Sequence, residues 1–341
     1  MIKVSVIATV LNEGPAMEKL LASLASQTRL PDQVVIVDGG SQDETLSILT
    51  SWAKAERLSL RLSPRLPLRV ESRPGANISQ GRNAAIEVAD GEVIASTDAG
   101  VRLEPNWLEA LVAPFEACTG GPLVSVVSGW FVADPQTPFE TAMGATVLPD
   151  LSEINPETFL PSSRSVAFRK SAWEAVEGYP EWLDYCEDLI FDLRLQELFG
   201  PFPFAPEARV HFRPRSNLRA FFKQYYRYAR GDGKADLWRR RHAIRYLTYL
   251  VAGPLLVALA VLHSPWWWLA LVAGLGVYVA TPYRRLGPML SGYSFWGRLQ
   301  AVMLVPIIRV VGDVAKMLGY PAGWVWRCRN WRRDEIHWRE G

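Results

Sequence analysis

The strongest constraint on this chain is an alternation in its N-terminal third, where short β-branched runs ending in polar or glycine-rich residues alternate with stretches of helical character. Val4 to Thr9 and Val34 to Val37 are two such runs, and the helical stretch Ala16 to Ser26 lies between them. Thr45 to Arg57 reads as a second helix, Leu68 to Ser72 as a third strand, Ser79 to Ala89 as a third helix and Val93 to Thr97 as a fourth strand. Strands that alternate with helices predict an α/β fold: a mainly parallel sheet with helices on both faces. After Asp98 the rhythm changes. Pro105 opens a helix to about Ala117, Leu123 to Val132 reads as a longer strand, Val166 to Arg169 as a short one, and Lys170 to Val176 as a short helix. The proline-rich stretch at Leu62 to Leu68 and the run Pro201 to Phe204 read as surface connections.

Beyond Tyr246 the composition shifts. Tyr246 to His263 carries no charged group except the terminal His, and Trp266 to Thr281 none at all. Each is slightly short of the roughly 20 residues that span a bilayer. With the turn His263-Ser264-Pro265 between them they read as a membrane hairpin, 246–263 and 266–281. Arg239 to Arg245 and Arg284-Arg285 flank it on the cytosolic side; a buried helical hairpin of a soluble domain is the competing reading. The segment 295–318 is apolar but carries Arg298, Arg309, Asp313 and Lys316, which suits an interfacial or re-entrant helix, and a basic tail follows at Arg327 to Arg333. The expected organisation is a cytosolic domain over 1–235 and a membrane region over 236–341, with the lipid bilayer as a partner and the cell membrane as the location. The 14 tryptophans, crowded into the C-terminal half, fit an interface. The start of the chain runs directly into Val4 without the regions of a signal peptide, so the first domain is expected to fold in the cytosol. Cys118, Cys186 and Cys328 share no metal or redox spacing, which suits a reducing compartment. A net charge of +2 argues against a nucleic-acid partner.

Ligands of open α/β sheets bind beyond the carboxyl ends of the strands. The residues there are Thr9 to Glu13 with Asn12 among them, Asp38-Gly39-Gly40-Ser41, and Thr97-Asp98-Ala99-Gly100, with Gly81-Arg82-Asn83 opening the helix before the fourth strand. Strand-end aspartates backed by glycine suit a nucleotide, because a carboxylate accepts from base or ribose donors and glycine lets the backbone approach. Arg82 suits a phosphate. Either aspartate taken singly is as well explained as a turn cap. No Gly-x-Gly-x-x-Gly or Gly-x-x-x-x-Gly-Lys occurs, which weakens dinucleotide-oxidoreductase and P-loop readings.

The segments Val6-Ile-Ala-Thr-Val-Leu-Asn-Glu13, Val34-Val-Ile-Val-Asp-Gly-Gly-Ser-Gln-Asp-Glu-Thr45, Gly81-Arg-Asn83 and Thr97-Asp-Ala-Gly100 resemble family 2 glycosyltransferases and occur in that family's order. The resemblance covers about 1–235. It implies a GT-A fold and inverting transfer from a nucleotide-diphospho-sugar donor, with Thr9, Asn12, Glu13, Asp38, Gly39, Arg82, Asp98 and Ala99 around the nucleotide sugar. The family's Asp-x-Asp stands here as Asp98-Ala99-Gly100, so a divalent cation, Mg²⁺ or Mn²⁺, is left open. Asp98 and His211 are candidate ligands, and Arg213 with Arg215 could bond the diphosphate instead. A structural role for His211 is the blander alternative.

Inverting displacement needs a base on the acceptor hydroxyl. Asp188, in Tyr185-Cys-Glu-Asp-Leu-Ile-Phe191, resembles the family's Glu-Asp base motif, although acids also favour a helix N-terminus for its dipole alone. Gln224-x-x-Arg227-Tyr228 resembles a Gln-x-x-Arg-Trp motif with Tyr in place of Trp, implying that Gln224, Arg227 and Tyr228, like Arg213, serve diphosphate or acceptor; a basic amphipathic helix resting on anionic lipid is the other reading. The expected function is transfer of a sugar to a hydroxyl of a lipid-linked or membrane-proximal glycan. A membrane scaffold that binds nucleotide without turnover and a nucleotidyltransferase are the rivals, the latter disfavoured because Thr9 to Glu13 is no glycine-rich basic loop.

Overall fold

The computed structural model describes residues 1–57, 66–117 and 123–339. Cys118 and the proline-rich stretch up to residue 65 lie outside the described residues. The chain forms two compact units, one from Met1–Val132 and Leu151–Phe212, the other from Ala133–Asp150 and Arg213–Gly341.

The first unit is built on eight strands: β1 (Val4–Val10), β2 (Gln33–Asp38), β3 (Leu68–Ser72), β4 (Val93–Ser96), β5 (Val101–Leu103), β6 (Val126–Ala133), β7 (Val166–Arg169) and β8 (Phe204–Phe212). They form one sheet in the order β3-β2-β1-β4-β7-β6-β8-β5. The β3-β2-β1-β4 half is parallel, as the alternation requires, whereas β7 pairs antiparallel with both β4 and β6, and β5 antiparallel with β8. The sheet is therefore mixed. Its parallel half carries α1 (Ala16–Ala25), α2 (Thr45–Arg57) and α3 (Ile78–Glu87); α4 (Trp107–Ala117) comes later. Side-chain alternation along β1 sorts the core: Val4, Val6, Ala8 and Val10 pack with Leu20, Leu21 and Leu24 of α1 and Leu108 and Leu111 of α4, while Ile7 packs on the other face with Ala85 and Ile86 of α3. α3 starts on a capping box in which the Asn77 side chain accepts from Gln80 N–H and the Gln80 side chain accepts from Asn77 N–H.

The second unit is helical: α5 (Pro138–Val147), then α8 (Leu218–Lys234), α9 (Arg239–Leu247), α10 (Gly253–Leu262), α11 (Trp267–Met289) and α12 (Phe295–Arg329); α6 (Lys170–Ala175) and α7 (Glu187–Phe199) belong to the first unit. α9, a π turn at Thr248–Ala252 and α10 run on as one helix, Arg239–Leu262. The π turn sits where Pro254 has no N–H for the Leu250 carbonyl, a local reason for wider winding. This is the one helix among the described residues long and apolar enough to cross a membrane. The expected second arm, 266–281, lies in α11, which continues past Thr281 through Pro282, Arg284 and Arg285 and, unlike Arg239–Leu262, does not meet the length and apolarity of a span, so a membrane hairpin is not shown. The segment 295–318 is the first part of a longer helix, α12, that runs to Arg329. α12 meets α8 through glycines: a Cβ on Gly319 would overlap the Tyr226 carbonyl, and one on Gly323 the Arg230 carbonyl.

Candidate active site

The parallel strands bring their carboxyl ends to one edge, with Val10 in register with Asp38 and Ile7 with Ser96. The loops beyond them are tied together. Ser41 Oγ accepts from Asn12 N–H at 2.9 Å, Asn12 Oδ1 accepts from Gln42 N–H at 2.8 Å, and Thr45 Oγ1 accepts from the N–H groups of Glu13 and Gly14 at 3.0 and 2.8 Å. Asn12 takes a left-handed φ of 55°, a conformation asparagine tolerates better than most side chains. Buried Asp38 accepts from the N–H groups of Gly40 and Ser41, both at 3.1 Å, so it caps its own turn at the strand end. Gly39 N–H donates to the Val10 carbonyl at 2.9 Å. Thr9 and α3 meet closely, for a Cβ on Gly81 would stand 2.7 Å from Thr9 Cγ2. Ala99 packs against the core on the side of β1 that faces α1.

Arg82 organises the centre of this edge. It is 3% exposed; one guanidinium nitrogen donates to Glu187 Oε1 at 2.7 Å and another to Asp98 Oδ1 at 2.9 Å. Its plane also lies over the Tyr179 ring at 5.3 Å. Burial by itself would lower the Arg82 pKa, but the Asp98 and Glu187 carboxylates outweigh it and hold the group above its usual range. The second oxygen of Asp98 forms an ion pair with Arg164 at 3.1 Å. Thus Asp98 sits between two arginines, and Arg82 between two carboxylates.

Asp188 follows Glu187 in the first turn of α7, whose N-cap Cys186 has φ 65°. The left-handed cap turns the chain so that Glu187 points inward to Arg82 while Asp188 stays half-buried, its Oδ1 accepting from Leu189 N–H at 2.9 Å. Burial, and then the charge of Asp188, raise Glu187 to about 7 against the pull of Arg82. One turn further, burial and Asp188 raise Asp192 well above the usual carboxylate range, and its two oxygens have no hydrogen-bond partner among the described residues. The edge therefore holds carboxyls in different environments: one half-buried, one ion-paired and buried, and one buried without a hydrogen-bond partner among the described residues.

The remaining candidates have contacts of their own. His211 on β8 stands beside Arg102 of β5 in the ladder and has its Nε2 2.9 Å from Glu104 Oε1. Arg213 belongs to the second unit and bonds buried Glu140 at 2.9 Å. On α8, Gln224 donates to the Tyr228 hydroxyl at 2.7 Å, and Arg227 is half-buried on the same helix. Both Asp98 oxygens are ion-paired with arginines, and among the described residues no group of three His, Cys, Asp or Glu could hold a metal ion. Where a second carboxylate would stand, Gly100 has φ +74°, and a Cβ there would be 3.0 Å from Glu13 Oε2. Sequence reading did not single out Arg164, which lies in the non-periodic stretch Pro161-Ser-Ser-Arg164, nor Glu187 as the partner of Arg82, since only folding brings those two residues together.

The geometry can be set beside known proteins. Residues 5–174 match the family described as Glycosyl transferase family 2, and residues 150–307 that described as Glycosyl transferase family group 2. The chain is 28% identical over 307 residues to the succinoglycan biosynthesis protein ExoA of Rhizobium meliloti, covering 82% of this chain and 87% of that protein. It is 22% identical over 241 residues to the O-antigen chain rhamnosyltransferase RfbN of Salmonella typhimurium, covering 66% and 70%. A mannosyltransferase from Pyrobaculum calidifontis, solved with GDP-Man and Mn²⁺, has the same fold, with a TM-score of 0.56 at 18% identity over 97% of this chain and 88% of that one.

Proposed function

This chain belongs to glycosyl transferase family 2, and we propose that Asp188 is the base with which it moves a sugar from a nucleotide-diphospho-sugar to a hydroxyl of a lipid-linked or membrane-proximal glycan. The observation that carries this reading is the placement of half-buried Asp188 beside the Arg82-Asp98-Glu187 network at the carboxyl edge of the parallel strands.

In the proposed step the acceptor oxygen attacks the anomeric carbon from the face opposite the diphosphate. The new C–O bond forms as the bond to the diphosphate oxygen breaks; Asp188 takes the hydroxyl proton, and the nucleoside diphosphate leaves with the bonding pair. Attack from the opposite face inverts the anomeric centre. Arg82 and Glu187 act indirectly, by fixing Asp98 and the start of α7. Thr9, Asn12, Glu13, Asp38, Gly39 and Ala99 line the loops where nucleotide and sugar are proposed to lie. A divalent cation, if recruited to the leaving diphosphate, would neutralise its charge; Asp98 and His211 are the residues proposed to hold it, with Arg164 released from Asp98. On α8 and just before it, Arg213, Gln224, Arg227 and Tyr228 are proposed to serve the acceptor end of the reaction.

The helix Arg239–Leu262 and the exposed apolar residues of α10 and α11, among them Leu255, Val261, Leu269 and Val272, support a membrane location with the catalytic domain on the cytosolic face. The test is release of nucleoside diphosphate by detergent-purified protein with a membrane lipid extract, across UDP-, GDP- and dTDP-sugars, with and without Mn²⁺. Turnover with one donor, reduced at least about a hundredfold by Asp188→Asn while nucleotide binding persists, is the expected result. Turnover that survives the substitution excludes Asp188 as the base.

A further inference from the structure

The second unit holds a cavity of about 260 Å³ walled by parts of α5, α8, α11 and α12. Its charged lining is lopsided: Arg285, Arg309 and Lys316 against one carboxylate, Asp313. That carboxylate is already matched, because Arg245 reaches Asp313 Oδ1 at 2.7 Å while Tyr278 and Tyr249 donate to Oδ2 at 2.7 and 3.1 Å. Arg309 lies over the Tyr278 ring at 4.9 Å, and its buried Nε–H has no hydrogen-bond partner among the described residues. Lys316 places its ammonium 5.0 Å from the Tyr225 ring. Among the described residues neither Arg309 nor Lys316 is in a salt bridge. Cations gathered around one partly enclosed space repel each other and lose hydration, unless an anion occupies it. Arginine forks with a lysine point charge are a donor set suited to phosphate oxygens.

The remaining walls decide what carries that phosphate. Val147, Phe221 and Ile308 line the same space, and the unit exposes apolar side chains along α10 and α11. A phosphate attached to a hydrocarbon chain satisfies both features, whereas a free phosphate uses only the first. We propose that this cavity binds the phosphate or diphosphate head of a polyprenyl-type lipid, the acceptor's carrier. The assignment rests on the reading of the chain as a transferase with a lipid-linked acceptor, and it gives that acceptor a site distinct from the residues of the first unit. Arg309 and Lys316 hold the phosphate oxygens, with Arg285 beside them.

The test uses the full chain in phosphatidylcholine nanodiscs, with undecaprenyl phosphate as the lipid probe and inorganic pyrophosphate as the free-anion probe. Undecaprenyl phosphate is expected to bind at least tenfold more tightly than pyrophosphate, and Arg309→Gln with Lys316→Met to weaken it tenfold or more while donor-nucleotide affinity stays unchanged. Pyrophosphate binding as tight as the lipid would overturn the lipid assignment. If the double variant loses nucleotide binding and so its fold, the single variants Arg309→Lys and Lys316→Met are read instead; unchanged lipid affinity in both overturns the site. Sugar transfer to a lipid acceptor undiminished in the double variant also overturns the site but leaves the transferase reading standing. Cavity-dependent lipid binding with no transfer from any donor does the reverse.

Discussion

At the scale of single residues, Glu187 gives the candidate site its pH response. Burial first and Asp188 second raise its pKa to about 7, against Arg82. The folded state then holds a proton that the unfolded chain has shed, so the contribution is fully present below the unfolded value near 4.5 and is lost as pH rises through about 7. Buried Asp192 acts in the same direction. Wild-type stability should therefore fall relative to Glu187→Gln between about pH 5 and 8, by roughly 1–3 kcal/mol; chemical denaturation of both proteins at a series of pH values measures it. Parallel curves would remove Glu187 as the source. Gly100 gives a second prediction. Its φ is +74°, and a Cβ added there would stand 3.0 Å from the Glu13 carboxylate. Gly100→Asp, which adds a carboxylate two residues after Asp98, should therefore cost roughly 1–2 kcal/mol. It should also leave Mn²⁺ dependence as it was, which a cation titration of turnover checks. Asp38, Asp98 and Asp188 were legible as site candidates because each ends a strand or opens a helix. The sharing of Asp98 between Arg82 and Arg164 was not, since ion pairs between distant segments leave no periodicity in sequence.

Among elements, the packing of α8 on α12 depends on glycine. Gly319→Ala or Gly323→Ala would push a methyl group into the Tyr226 or Arg230 carbonyl of α8, and backbone cannot step aside as a flexible side chain can. Each should lower the unfolding temperature of the detergent-purified protein, at a cost of about 1–3 kcal/mol. Gly274→Ala and Gly276→Ala on α11, where no atom stands within 4 Å of the added methyl, serve as controls and should be neutral or slightly stabilising. A drop shared equally by all four would remove the close approach as its cause. The β1 to β4 elements and α1 to α3 were readable within a residue or two, because each pairs a clear period with a polar stop. β5 has only three residues, and α5 mixes Gly144 with Thr141 and Thr146, so neither carries enough pattern to be seen before folding.

Over the whole molecule, the second unit is discontinuous in sequence: Ala133–Asp150 joins Arg213–Gly341 around a single core of Ala142, Met143, Phe221, Leu286, Ala301, Val305 and Ile308. A fragment ending at residue 235 keeps α5 and α8 but removes α11 and α12, exposing Ala142, Met143 and Phe221 to water. It should aggregate in size-exclusion chromatography where the full chain in detergent elutes as a single species; a monodisperse, folded fragment would show that the helices of the second unit do not need one another.

The sequence by itself determined the parallel α/β half, the family, the edge on which the candidate site lies and the onset of the apolar C-terminal region. All of these rest on local periodicity or on contiguous motifs, which survive in one dimension. Only the tertiary structure decided that the far half of the sheet turns antiparallel, that Arg82 is held between Asp98 and Glu187, and that α5 joins the C-terminal helices around a cavity lined by Arg285, Arg309 and Lys316. Those outcomes depend on burial and on pairing between residues far apart in the chain, where the energy belongs to the contact and not to either partner.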